Sequence, residues 1–209
     1  MTANEYFNRI SSQWDRLQQQ FYSERVRLAA IQQADLRPGQ YVADVGAGTG
    51  YLTEALLQHG VWVIALDASR PMLDVLVQKL GPCSQLWCQR ALGEQLPLAD
   101  ESVDAVFANM FLHHVESPAA VIRELTRILK PGGKLVITDL DRHPFRFLLE
   151  EHHDRWPGFE RDQLREWFTQ AGLNPVRLSC VGEECCDTSA DGEVVARISI
   201  FLAYGEKNH

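Results

Sequence analysis

The chain has 209 residues, 45% of them hydrophobic, enough for one domain with a substantial core and ordinary for a globular protein. Its 28 acidic against 20 basic side chains leave a formal charge of -8 with no basic cluster to offset it, which excludes a polyanion such as nucleic acid as a partner. No apolar run approaches the length needed to span a bilayer, and the first residues lack the charged-then-apolar design of a signal peptide, so a cytoplasmic protein without a membrane partner is expected.

Residues before about Arg37 read as amphipathic helix, because Trp14, Leu17, Phe21 and Tyr22 recur at spacings that share one face. Short apolar runs follow at Tyr41–Val45, Val61–Leu66, Leu86–Cys88, Val103–Ala108 and Leu135–Asp139. Segments with helical periodicity, such as Pro71–Leu80 and Ala119–Leu129, separate them. This rhythm predicts parallel strands in a doubly wound α/β sheet. Lys130-Pro131-Gly132-Gly133 is predicted to stop a helix on glycine and to start the fifth strand. Val176–Val181 and Ala196–Tyr204 are two further predicted strands, joined by a polar loop from Gly182 to Glu193.

The turn after the first strand carries the most chemistry. In Val42-Ala43-Asp44-Val45-Gly46-Ala47-Gly48-Thr49-Gly50-Tyr51-Leu52, glycines at every second position let the backbone approach a bound molecule without Cβ clashes. Asp67 then ends the second strand with a carboxylate placed for vicinal ribose hydroxyls, so the expected ligand is a nucleoside. A dinucleotide fingerprint needs glycine where this chain has Tyr51, and it rests a pyrophosphate on the helix with no acid before the loop. Asp44 repels a pyrophosphate and suits a cation such as the ammonium of S-adenosylmethionine. Both residues disfavour a nicotinamide oxidoreductase.

This segment resembles motif I of the class I S-adenosylmethionine-dependent methyltransferases. Leu96-Pro97-Leu98, Ser102-Val103-Asp104-Ala105-Val106-Phe107, Leu112-His113-His114-Val115 and Leu129-Lys130-Pro131-Gly132-Gly133-Lys134-Leu135 are similar to the successive landmarks of the UbiE and type 11 members. Tyr6-Phe7, Ser12-Gln13-Trp14-Asp15-Arg16-Leu17, Asp139-Leu140-Asp141-Arg142-His143 and Asp154-Arg155-Trp156-Pro157-Gly158-Phe159 most resemble the methyltransferase half of bacterial proteins that fuse an ArsR-type regulator to this domain. The resemblance covers nearly the whole chain. It implies a single methyltransferase domain, with a Rossmann-like, mostly parallel seven-stranded sheet that ends in an antiparallel C-terminal hairpin. Residues 1–37 would form a helical lid, 38–140 the cofactor-binding core, 141–175 an acceptor-side cover and 176–209 the hairpin. The implied cofactor is S-adenosyl-L-methionine and the implied partner a small-molecule methyl acceptor.

Carried onto this chain, the resemblance puts Gly46, Ala47, Gly48 and Gly50 against the amino acid part of the cofactor, with Asp44 near its ammonium and Asp67 on ribose. Ala68 and Met72 would touch adenine, Asn109 would face the methionine end, and Trp14 would close the lid with Tyr6 and Phe7. Leu92 departs from the pattern, since many members carry an Asp there to accept from the adenine amino group. Base recognition would then rest on the Gly93 N–H, stacking and Glu94. Candidate bases on the cofactor face are His114, Asp139, Asp141 and His143, with His114 the first to test.

The stretch from Asp141 to Phe159 reads as acceptor cover, in which Arg142 and Arg155 either hold an acidic acceptor or pair with Glu150, Glu151 or Asp154 at the surface. The five cysteines are expected to be reduced. No metal site is expected, because Cys83 and Cys88 lack a matching pair and adjacent side chains, as in His113-His114 and His152-His153, are taken to diverge. Two alternatives stay open: a catalytically weak S-adenosylmethionine-binding regulatory module, and methylation of a metalloid or thiol acceptor involving Cys180 and the Cys185-Cys186 loop.

Overall fold

The computed structural model describes residues 2–208. Three helices, α1 (Ala3–Ile10), α2 (Trp14–Phe21) and α3 (Glu24–Ala34), come first. The amphipathic run before Arg37 is therefore broken twice, by a 3₁₀ turn at Ser11–Gln13 and by Tyr22, whose extended backbone stops α2. Ser23 caps α3 by accepting from the Arg25 N–H. Only α3 has a wide apolar face, formed by Val26, Ala30, Ile31 and Ala34; α1 buries no residue.

The rest alternates strand and helix. Strands β1 (Tyr41–Val45), β2 (Trp62–Asp67), β3 (Leu86–Arg90), β4 (Val103–Asn109), β5 (Leu129–Leu140), β6 (Leu173–Thr188) and β7 (Val195–Lys207) form one sheet in the order β3-β2-β1-β4-β5-β7-β6. The first five are parallel, and β7 runs antiparallel to both β5 and β6. Helices α4 (Tyr51–Gln58), α5 (Arg70–Leu80), α6 (Pro118–Ile128), α7 (Arg146–Glu151) and α8 (Arg161–Gln170) occupy the connections.

Both faces of the sheet are covered, which is why its central strands read as unbroken apolar runs. From Ala105 the side chains of β4 alternate: Ala105 and Phe107 join α3 and α4 on one face, while Val106 and Ala108 join α6 and α8 on the other. Phe107 is fully buried, and its burial contributes on the order of 2–3 kcal/mol.

Two boundaries differ from those predicted. Helix α6 ends where Leu129 turns extended, ahead of the Lys130-Pro131-Gly132-Gly133 segment, because Pro131 bars helical backbone in the residue before it. Those four residues instead form an irregularity inside β5, where the register against β4 jumps from Leu129 opposite Val103 to Lys134 opposite Ala105. At the C-terminal edge, β6 continues through most of the expected polar loop and leaves residues 189–194 as the connection. Glu183 and Glu184 disguise this strand, since an edge strand with one wet face tolerates charge.

The order of strands reverses between β1 and β4. In open α/β sheets that reversal opens a crevice at the carboxyl ends of the strands, here at Val45, Asp67 and Asn109.

Candidate functional site

A cavity of about 540 Å³ lies at this crevice, a size typical of small-molecule sites. Asp44, Gly46, Ala47, Gly48, Asp67, Ala68, Met72, Leu92, Gly93, Asn109 and Trp14 line it, as does His114 at its opposite end. Four of the expected cofactor-contacting residues and candidate bases do not, among them Asp141, whose carboxylate accepts from the Arg161 guanidinium at 2.8 and 2.6 Å. Gly50 instead turns the chain into α4 at φ +92°, where a Cβ would press on Leu76 at 2.9 Å. Asp139 is fully buried behind the wall, and His143 lies beside Phe145 outside this cavity.

The two carboxylates differ in what holds them. The Oδ2 of Asp67 accepts from the Gly48 N–H and its Oδ1 from the Ser69 N–H, both at 2.8 Å, so strand end and glycine turn are tied together. Each oxygen keeps a second lone pair for a ligand. Asp44 is buried under the turn and accepts from the Thr53 hydroxyl at 2.6 Å. Burial pushes its carboxyl up to about 7, against the lowering effect of the Thr53 bond. A cation seated above it would restore the ionised form.

Phe111 had no local signal in the sequence. Its ring lies against both Gly46 and Gly93, so that a Cβ at either would run into it, and it joins the cavity wall. The glycines of two separate loops are thus shaped to one aromatic side chain. Asn109 has its amide committed, donating to the Tyr22 hydroxyl at 3.3 Å and accepting from Thr138 at 2.7 Å. Leu92 sits at the rim, 61% exposed.

The N-terminal helices close the cavity from above. Phe7 and Trp14 line it and pack edge to face, 5.2 Å apart. Polar ties bind this cover to the body: Ser69 donates to Asn8 at 2.7 Å, Thr49 donates to Asp15, and Lys79 reaches Asp15 at 3.2 Å.

At the far end the two histidines converge, contrary to the expected divergence. Leu112–His114 is a 3₁₀ turn held by Asp139, whose carboxylate accepts from the Leu112 N–H at 2.8 Å and the His113 N–H at 3.3 Å. Successive side chains in such a turn lie about 120° apart, whereas in a strand they point oppositely. The two rings come within 4.0 Å, centre to centre. Asp139 also meets His113 Nδ1 at 2.6 Å, which makes it a positioning residue for that ring.

Asp154 sits opposite both rings, 3.7 Å from His113 Nε2 and 3.5 Å from His114 Nδ1, and is buried rather than paired with arginine at the surface. Burial opposes charge on His113, yet Asp139 and Asp154 outweigh it and raise the imidazole to about 9. Burial and the neighbouring charge of His113 hold His114 well below its ordinary value, so it is neutral at physiological pH. His143 is likewise lowered to about 4, chiefly by burial. A second, smaller cavity of about 60 Å³ adjoins this cluster, with Tyr6, Phe21, His152 and Cys185 in its walls.

The cysteine pair lies on β6, not in a loop, so its two side chains point to opposite faces. Cys185 is buried, which pushes its thiol up to about 12, and Cys186 is partly exposed. Among the described residues no helix is long and apolar enough to cross a membrane.

Residues 43–137 match the family model described as a methyltransferase domain. A demethylmenaquinone methyltransferase of Renibacterium salmoninarum is 31% identical over 182 residues, covering 74% of this chain and 75% of that protein. Among solved structures, the YcgJ protein from Bacillus subtilis superposes with a TM-score of 0.73 at 18% identity, over 88% of this chain and 98% of that one. Phosphoethanolamine N-methyltransferase 2 of Haemonchus contortus, solved with S-adenosyl-L-methionine, gives 0.74 at 15% identity over 88% and 52%. With the domain model running from β1 to β5 and three quarters of a curated relative covered, the chain belongs to the UbiE-like, type 11 family of class I S-adenosylmethionine-dependent methyltransferases.

Proposed function

We propose that the protein transfers the methyl group of S-adenosyl-L-methionine to a small-molecule acceptor by in-line displacement. The observation that carries this reading is one cavity running from Asp67 and the glycine turn to His114, with Phe7, Trp14 and Phe111 between. When bound, the cofactor supplies an electrophilic methyl on a cationic sulfur. The chain's own part is to hold and align. Asp67 and the Gly46–Gly48 backbone would take the ribose and the amino acid, Asp44 the ammonium, and Met72 and Leu92 the adenine edge. Phe7 and Trp14 exclude water from the path of attack, where alignment of the reacting atoms supplies most of the rate. The enclosed volume and the net charge of -8 both favour a small acceptor over a nucleic acid.

His114 stands at the acceptor end as a neutral imidazole, able to accept a hydrogen bond from an acceptor hydroxyl or amine. The protonated thiol of Cys185 argues against the metalloid alternative, which needs thiolates. The test is formation of S-adenosylhomocysteine by the purified chain across quinol, phenol, amine and thiol acceptors, with quinols first because of the demethylmenaquinone methyltransferase relative. A methylated product is the expected result. Cofactor binding without turnover over the whole panel would make the chain a binding module instead.

A further inference from the structure

The cluster of His113, His114 and Asp154 has a geometry that neither family membership nor methyl transfer requires. One nitrogen from each ring and one Asp154 oxygen lie within 4.8 Å of one another. A tetrahedral zinc ion with bonds of about 2.0–2.1 Å holds its ligands roughly 3.3 Å apart. The separations of 3.7 and 3.5 Å from Asp154 to the two rings are within a few tenths of an ångström of that.

Two further observations point the same way. The Nδ1 of His114 is buried and makes no hydrogen bond, a cost that native structures rarely carry without a reason. The Nδ1 of His113 is engaged by Asp139 at 2.6 Å, which leaves Nε2 aimed at Asp154. A carboxylate behind a histidine, fixing the ring while the other nitrogen ligates, is the recurrent outer partner of metal-bound histidine.

We infer that His113 Nε2, His114 Nδ1 and Asp154 form a binding site for a divalent first-row transition metal, with Asp139 as the orienting carboxylate. Two imidazoles and one carboxylate suit zinc and its neighbours rather than calcium or magnesium, which prefer all-oxygen shells. Three protein ligands leave a coordination position open. All three ligands line the smaller cavity of about 60 Å³ beside Phe7, whose ring is 4.8 Å from that of His114, and His114 also lines the larger one. An oxygen or nitrogen of the methyl acceptor would ligate the ion there; that last step rests on the proposed methyl transfer, whereas the site itself does not.

The test is titration of the metal-stripped full chain with Zn²⁺, by competition against a chromophoric chelator, and with Co²⁺, read by its visible absorption. One ion per chain is expected, with the intense bands of a four-coordinate cobalt site. His114→Gln and Asp154→Asn should each weaken Zn²⁺ at least tenfold, and Asp139→Asn should weaken it about tenfold or more through the second nitrogen of His113. His59→Gln, at the residue that caps the end of α4 and belongs to neither cavity, should bind Zn²⁺ as the parent does. Circular dichroism and S-adenosylmethionine calorimetry on each variant report folding; should Asp154→Asn fail to fold, His114→Gln at the cavity wall gives the same readout. Zn²⁺ affinity equal in the parent and His114→Gln, or cobalt spectra showing only hydrated ion, would overturn the site. Cofactor affinity retained in that case would leave the methyl-transfer reading standing.

Discussion

The two ends of the cavity are built on different principles. The end proposed for the methyl donor is made of backbone: strand termini, a glycine turn and peptide N–H groups, tied by Asp67 to Gly48 and Ser69. The end proposed for the acceptor is made of side chains brought from distant parts of the chain, with Tyr6 meeting His152 Nδ1 at 3.1 Å and His114 facing Asp154. A backbone site fixes one ligand and tolerates little change, because a Cβ at Gly46, Gly50 or Gly93 would run into Phe111 or Leu76. A side-chain site can be rewritten residue by residue while the sheet beneath stays as it is. One scaffold can thereby keep its donor and vary its acceptor.

This contrast can be broken or sharpened by experiment. The largest effect is expected for Gly46→Ala, which sets a Cβ into the Phe111 ring at φ +72°. Calorimetry should show S-adenosylmethionine affinity falling about 100-fold or more, and a change under tenfold would mean that the ring yields easily. Asp67→Asn keeps the shape but loses charge-assisted bonds, for a loss of roughly 2 kcal/mol, about thirtyfold in affinity. Ribose-lacking analogues should bind parent and variant equally.

Asp44 supplies a pH signature. Its carboxyl titrates near 7 in the folded chain and at its ordinary value of 3.8 when unfolded, so the native state retains a proton that the unfolded state loses. Stability contributed by this group therefore falls as pH rises from about 4 to 7, by at most about 4 kcal/mol. Because a bound ammonium favours the carboxylate, cofactor affinity should instead rise about tenfold from pH 6 to 8. Asp44→Asn should flatten both profiles, and an unchanged slope would assign them to another group.

Leu92→Asp should tighten the cofactor about fivefold, the worth of one hydrogen bond of about 1 kcal/mol to the adenine amino group. Weaker or equal binding would mean that the rim residue does not meet the base. The smallest effect on the donor is expected from the acceptor end: His114→Gln should leave cofactor affinity within about twofold while lowering turnover. A large loss of affinity there would erase the distinction between the two ends.

The same distinction governs what could be read from residues alone. Asp44, Gly46, Gly48 and Asp67 were legible because a strand end, a turn and its glycines are contiguous, and alternating apolar runs disclosed the buried sheet. Phe111 was not, since nothing local says that one ring will serve two loops. The convergence of His113 and His114 was missed because it depends on a 3₁₀ turn that Asp139, 26 residues away, holds in place. The continuation of edge strand β6 past Val181 hid for the reverse reason, its charges reflecting solvent on one face and not a loop.

The manner in which the N-terminal cover is fastened sets how molecules come and go. Helix α1 buries no residue in the core and is tied to the body by Asn8 through a hydrogen bond, and α2 by Asp15 through an ion pair with Lys79. Such fastenings are individually weak and are screened by electrolyte. Lifting the cover would leave the sheet untouched and draw only Phe7 and Trp14 off the cavity wall, so on the proposed function spent cofactor would leave through a hatch whose latch loosens with ionic strength.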